Sequence, residues 1–125
     1  MQERYKTVKF TPEQELLTDI YELLYYLGLR ATRTNFFHLS FAVYIATKNP
    51  DRMLSMTKWL YPDVAEHYAT SWQAVERNIR TAVNSVWRRH RAELCSLAGY
   101  EIEHRPTATR FIRILVNALQ EDNAA

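Results

Sequence analysis

The sequence predicts an all-α fold, a compact bundle of about six helices, and three observations lead there. Apolar residues recur at helical spacing through most of the chain. No stretch shows the apolar–polar alternation of a half-buried strand, and two glycines are too few for a protein rich in hairpins. A chain of 125 residues with 47% hydrophobic content fits one globular domain whose core needs no staples. That domain is expected over residues 11–120, between an arm or linker at residues 1–10 and a frayed tail at residues 121–125.

The arm is charged and weakly patterned, and no function is assigned to it. Thr11, Pro12 and Glu13 then supply a cap, a proline at the first helical position and an early acid, which together favour a helix start. Leu16, Leu17, Ile20, Leu23, Leu24 and Leu27 carry this helix to Gly28, placed where a C-terminal cap is needed. Tyr21, Tyr25 and Tyr26 are expected as packing groups with wet hydroxyls, not as a base-stacking platform. The second helix starts near Thr32 or Thr34 and runs to Lys48, with Phe36, Phe37, Leu39, Phe41, Ala42, Tyr44 and Ile45. Its apolar residues fall on more than one side, so it should be the central buried helix.

Asn49-Pro50-Asp51 breaks the chain. Residues 53–68 read as helical with an apolar stripe; Asp51 can cap its first part, and Pro62 either opens a new helix or kinks the existing one. Val64, Ala65 and Tyr68 are expected to face inward. A further helix is predicted over about residues 71–88, capped by Thr70 or Ser71. Helix, tight turn, helix is the resulting order, an embedded helix-turn-helix.

This last helix has two unlike faces. At about 100° per residue, Val75, Ile79, Ala82, Val83 and Val86 share one sector with Trp72 at its edge. The opposite sector holds Gln73, Arg77, Arg80, Thr81, Asn84 and Arg88 and nothing apolar. Most amphipathic helices simply carry a solvated polar face, usually with mixed Glu and Lys for i,i+4 pairing. Here the face has arginines, amides and a hydroxyl but no acid. Arginine and the amides match guanine and adenine edges in a major groove, so the helix could read double-stranded DNA.

Charge points the same way. The net charge of +2 is unremarkable, but Arg77, Arg80, Arg88, Arg89 and Arg91 face the single acid Glu76 between residues 70 and 91, whereas charges balance before residue 70. Such concentration is the footprint of nucleic-acid binding. The run from Arg88 to Arg91 serves equally as a solvated helix end complementing the dipole or as a phosphate contact.

Glu93, Leu94, Leu97 and Ala98 make a short helix stopped by Gly99, and residues 100–105 are a connector. Pro106 or Thr107 opens the final helix, with Phe111, Ile112, Leu115, Val116 and Leu119 on one face.

Catalytic and metal readings find little support. His38, His67, His90 and His104 show no pair spaced to share a helix face. Glu101, Glu103 and His104 sit together in a connector of the sort that is ordinarily just solvated, and Cys95 reads as inert core beside Leu94. No phosphate-cradling glycine loop occurs, so neither an enzyme nor a cofactor is expected. The lone Cys95 fits a reducing cytoplasm. No run approaches the length of a membrane span, and no signal-peptide core follows the charged start.

The residues Met56-Thr57-Lys58-Trp59-Leu60-Tyr61-Pro62-Asp63-Val64-Ala65, then Val75-Glu76-Arg77, Ile79-Arg80, Trp87 and Ser96-Leu97-Ala98-Gly99-Tyr100 resemble the C-terminal effector domain of the stage-zero sporulation protein A family, from about Leu16 to Leu119. The resemblance implies an all-helical domain whose helix-turn-helix binds promoter DNA, pairs as a homodimer on DNA and communicates with RNA polymerase holoenzyme. Glu76, Arg77 and Arg80 match the family's pattern as they stand. Ala74 and Gln73 replace the arginine and serine usual before Val-Glu-Arg, which implies a different operator. Ala98 replaces a phenylalanine in the segment the family associates with polymerase. The ten residues ahead of the first helix are too few for the phosphorylatable receiver that family members carry.

Base reading is therefore expected from Gln73, Glu76, Arg77, Arg80 and Asn84, and phosphate contact from Lys58, Ser71, Thr81, Arg88 and Arg89. The other reading the residues allow is a protein-interaction module that keeps the fold without binding DNA, since a fold does not fix a function.

Overall fold

Thr11 opens the first helix, α1 (Pro12–Tyr26), through a reciprocal capping box. Its hydroxyl accepts from the Gln14 N–H at 3.2 Å, and its own N–H donates to the Gln14 side chain at 2.9 Å. The computed structural model describes residues 9–124, so the expected arm lies outside the described residues except for Lys9 and Phe10. Five helices follow: α2 (Thr34–Lys48), α3 (Tyr61–His67), α4 (Trp72–Arg89), α5 (Arg91–Ala98) and α6 (Ala108–Ala124), with no strand among the described residues. The fold is an all-helical bundle with an embedded helix-turn-helix, α3–turn–α4.

α1 ends in a Schellman motif: the Leu29 N–H donates to the Leu24 carbonyl at 3.0 Å and the Gly28 N–H to the Tyr25 carbonyl at 2.9 Å. Gly28 sits at φ +84°, where a side chain would be strained. A Cβ there would also run into the His90 imidazole. One glycine thus stops α1 and lets the C-terminal end of α4 dock on it.

α2 is the central helix. It touches α1, α3, α4 and α6, and Phe36, Leu39, Ala42, Val43, Ile45 and Ala46 are all buried. Around it Ile20 and Leu24 of α1, Val64 of α3, Leu94 of α5 and Phe111, Ile112 and Leu115 of α6 close one continuous core. Burial of large aliphatic and aromatic groups of this kind is the main favourable term in folding.

Between α2 and α3 the structure departs from the helix read over residues 53–68. A 3₁₀ turn (Pro50–Leu54) is followed by a π turn (Met56–Leu60), which Ser55 caps by accepting from the Lys58 N–H at 3.2 Å. Pro62 has no N–H to give residue 58, and its ring crowds that carbonyl; the chain widens to i→i−5 bonding just before it, with the Tyr61 N–H reaching Met56. Pro62 therefore sits in the first turn of a new helix, α3.

Other expectations need correction. Val64 and Ala65 face inward, but Tyr68 is 37% exposed, its ring edge-on to Phe41 and His67. Tyr26 is 48% exposed, whereas Tyr25 and Tyr21 pack as expected, their ring centroids each 5.3 Å from that of Phe36. Cys95 is half-buried, not core, and its Sγ accepts from the Ile102 N–H at 3.3 Å. Helix α6 continues to Ala124, through residues read as a fraying tail.

Candidate nucleic-acid interface

The turn from α3 into α4 sets the geometry of the interface. The Thr70 N–H donates to the Ala65 carbonyl at 2.9 Å and the Ala69 N–H to the Glu66 carbonyl at 3.3 Å, a second Schellman closure, with Ala69 at φ +54°. Ser71 then caps α4, its Oγ accepting from the Ala74 N–H at 3.2 Å. The next 18 residues form one helix, about 27 Å long.

Val75, Ile79, Ala82, Val83 and Val86 are buried, which fixes the rotation of α4. Gln73, Arg77, Arg80, Thr81, Arg88 and Arg89 are consequently exposed, Glu76 is half-buried on the flank, and Asn84 is half-buried. Gln73, Arg77, Asn84 and Arg88 fall in a nearly straight row along the helix at 100° per residue.

The side chains in this surface are not equally free. Arg80 is paired with Glu76 at 3.7 Å, one turn back along α4. A surface pair of this kind is weak, so the guanidinium is oriented by Glu76 rather than sequestered. Arg77 makes no hydrogen bond or ion pair through its side chain among the described residues. The Thr81 hydroxyl donates to the Arg77 carbonyl at 2.9 Å, which turns its proton inward. Asn84 accepts at Oδ1 from Arg105 Nη1 at 2.9 Å. Ser71 is engaged as the cap, and Lys58 belongs to the π turn before α3, its Nζ over the Trp59 ring at 5.3 Å. The structure thus gathers the base-reading candidates and Ser71, Thr81, Arg88 and Arg89 on one helix, and places Lys58 on a different element.

Two features of the surface were not among the sequence candidates. Arg105, in the connector between α5 and α6, reaches the flank of α4. With Arg80, Glu76, Asn84 and Tyr61 it borders a cavity of about 250 Å³. The Tyr61 hydroxyl there is pushed up to about 12 by burial, with the Glu76 carboxylate adding to the rise and Arg80 opposing it, so it stays protonated. Behind the surface, the buried His38 ring of α2 meets Asn78 of α4, Nδ1 to Nδ2 at 3.1 Å. Neither partnership carries a sequence signal, because 21 and 40 positions separate the partners. At the far end, the Arg91 guanidinium lies over the Trp87 ring at 3.8 Å.

Chemically, the arrangement offers a helix packed by one face and lined on the other with cationic and amide donors. It suits an anionic, groove-shaped partner. Among the described residues no group of acids, histidines or cysteines is placed to hold a metal ion, and no helix is long and apolar enough to cross a membrane. The family described as sporulation initiation factor Spo0A C terminal matches residues 20–119, a span that holds α2 to α5 whole, the C-terminal part of α1, most of α6, and every side chain of the surface just described. The chain belongs to that family, whose members are DNA-binding effector domains and not enzymes.

Proposed function

We propose that this chain is a sequence-specific transcription-factor domain that lays α4 in the major groove of promoter DNA. Arg77 and Arg80 are the principal groove readers, suited to the paired acceptors of guanine, with Gln73, Glu76 and Asn84 beside them. Arg88 and Arg89 at the helix end, Lys58 before α3, and Ser71 and Thr81 contact phosphates. The observation that carries this reading is the rotation of α4: its five buried aliphatic and alanine side chains leave Arg77 outward on a face without a single apolar residue. Ser71 Oγ accepts from the Ala74 N–H and keeps its own proton to donate to a phosphate, whereas the Thr81 hydroxyl, which donates to the Arg77 carbonyl, has to turn outward on binding. The contact with RNA polymerase that the family resemblance implies falls in this reading at Ser96 to Tyr100, where Tyr100 is exposed and its hydroxyl accepts from Arg110 at 3.1 Å.

Selection of bound sequences from a random duplex pool tests the proposal, together with a salt titration of the selected site. The expected outcome is one enriched motif whose affinity falls steeply as salt rises, with about one unit of log–log slope for each phosphate neutralised. No enrichment and no salt dependence would instead indicate a protein-interaction surface.

A further inference from the structure

Arg105 lies outside α4, in the connector that leads to α6, yet its Nη1 donates to Asn84 Oδ1 at 2.9 Å. A guanidinium carries only N–H donors. The atom facing it must therefore be the amide oxygen, and the orientation of the Asn84 side chain is dictated by its neighbour. The NH₂ group is left for any ligand of α4. Arg105 is exposed and makes no other hydrogen bond among the described residues, so holding this amide is the one hydrogen bond its guanidinium makes there.

The consequence concerns base choice and rests on the groove-reading proposal. A free asparagine recognises adenine with both ends of its amide, donating to N7 and accepting from the N6 amino group. With Arg105 in front of Oδ1, the N6 amino group would have to approach an oxygen that already faces a cationic donor. Oδ1 keeps a second lone pair, but a donor approaching it would come up beside the Arg105 guanidinium and be repelled by it. A base edge made of acceptors meets no such conflict: guanine presents N7 and O6, and thymine presents O4. Asn84 stands about two turns beyond Arg77 on the same line of the helix, so the base it faces is separate from the one Arg77 faces.

We propose that Arg105 is a specificity-determining residue that acts through Asn84, holding the amide with its donors outward so that the base opposite must present acceptors and adenine is disfavoured. It is a positioning residue: the contact to the base is made by Asn84.

The test is selection from random duplex with the wild-type chain, Arg105→Ala, Arg105→Lys and Asn84→Ala, each checked for an unchanged helical circular-dichroism spectrum. Wild type should select guanine or thymine at one position where Arg105→Ala admits adenine, with the relative preference shifting roughly tenfold and the remaining motif unchanged. Arg105→Lys, which keeps a donor, should hold the wild-type preference. Asn84→Ala should lose preference at that position alone, and adding Arg105→Ala to it should change nothing more. If Arg105→Ala weakens binding to all sequences alike and leaves the motif intact, Arg105 touches phosphate only and the inference is overturned while groove reading stands. A wild-type chain that selects no motif overturns both. Should Arg105→Ala lose its fold, the Asn84→Ala and Arg105→Lys profiles decide: uniform preference loss with Lys, or adenine already favoured by wild type, contradicts the proposal.

Discussion

His38 is 3% exposed in the central helix, and its Nδ1 faces the Asn78 NH₂ group, which can only donate. That contact needs a neutral ring with a lone pair on Nδ1. Burial pushes the His38 pKa below the ordinary histidine range. The unfolded chain, titrating near 6.5, therefore binds a proton that the folded chain refuses. Stability from this residue is complete above that value, is lost as pH falls through it, and levels off below the depressed folded pKa. Thermal midpoints measured from pH 8 to pH 5 should fall more for wild type than for His38→Gln. Parallel curves would show that His38 is not the group responsible. At this scale the sequence was informative wherever the helical wheel decides: Arg77 outside and Val75 inside follow from spacing alone. Partnerships across the fold were not legible, because periodicity speaks of neighbours on one helix, whereas His38–Asn78 and Arg105–Asn84 join different elements.

Among the elements, α4 was the most legible, because a strong 3.6-residue period coincides with a serine cap at Ser71. The stretch before α3 was least legible. Its apolar spacing survives a 3₁₀ turn and a π turn that periodicity does not distinguish from an α-helix, and only Pro50, Ser55 and Pro62 hint at the breaks. Two expected outcomes belong here. Ile79 is fully buried on α4, so Ile79→Ala should cost about 2 to 5 kcal/mol by urea unfolding; a cost under about 0.5 kcal/mol would contradict the packing. Ala69 occupies the left-handed region at φ +54° in the turn that aims α4. A non-glycine residue pays about 1 to 2 kcal/mol there, and the entropy glycine adds to the unfolded chain offsets about 0.5 to 1 kcal/mol of that, so Ala69→Gly should raise stability by about 0.5 to 1 kcal/mol. A loss of stability would show that the turn is not held in this conformation.

For the whole molecule, the question is how one helix finds its site among a genome's worth of others. A single reading helix spans a few base pairs, and specificity normally comes from two half-sites occupied together. Pairing of two copies on DNA is the arrangement we propose. The apolar face of α6 is spent on the core: Phe111, Ile112 and Leu115 are fully buried and Leu119 is 5% exposed. The pairing surface must lie elsewhere, and the association should be weak without DNA. Sedimentation should find monomers in the free protein and two copies on a two-site duplex; one copy at saturation would rule pairing out.

The central claim, that the outward face of α4 reads bases while its end grips phosphates, is tested most directly by comparing Arg77→Ala and Arg89→Ala on matched and scrambled duplexes at several salt concentrations. Arg77→Ala should cost about 1 to 3 kcal/mol on the matched site, with little change on scrambled DNA, and should flatten discrimination at one base position. Arg89→Ala should weaken both duplexes alike and lower the salt slope by about one unit. Equal losses on matched and scrambled DNA for Arg77→Ala would contradict base reading by this helix.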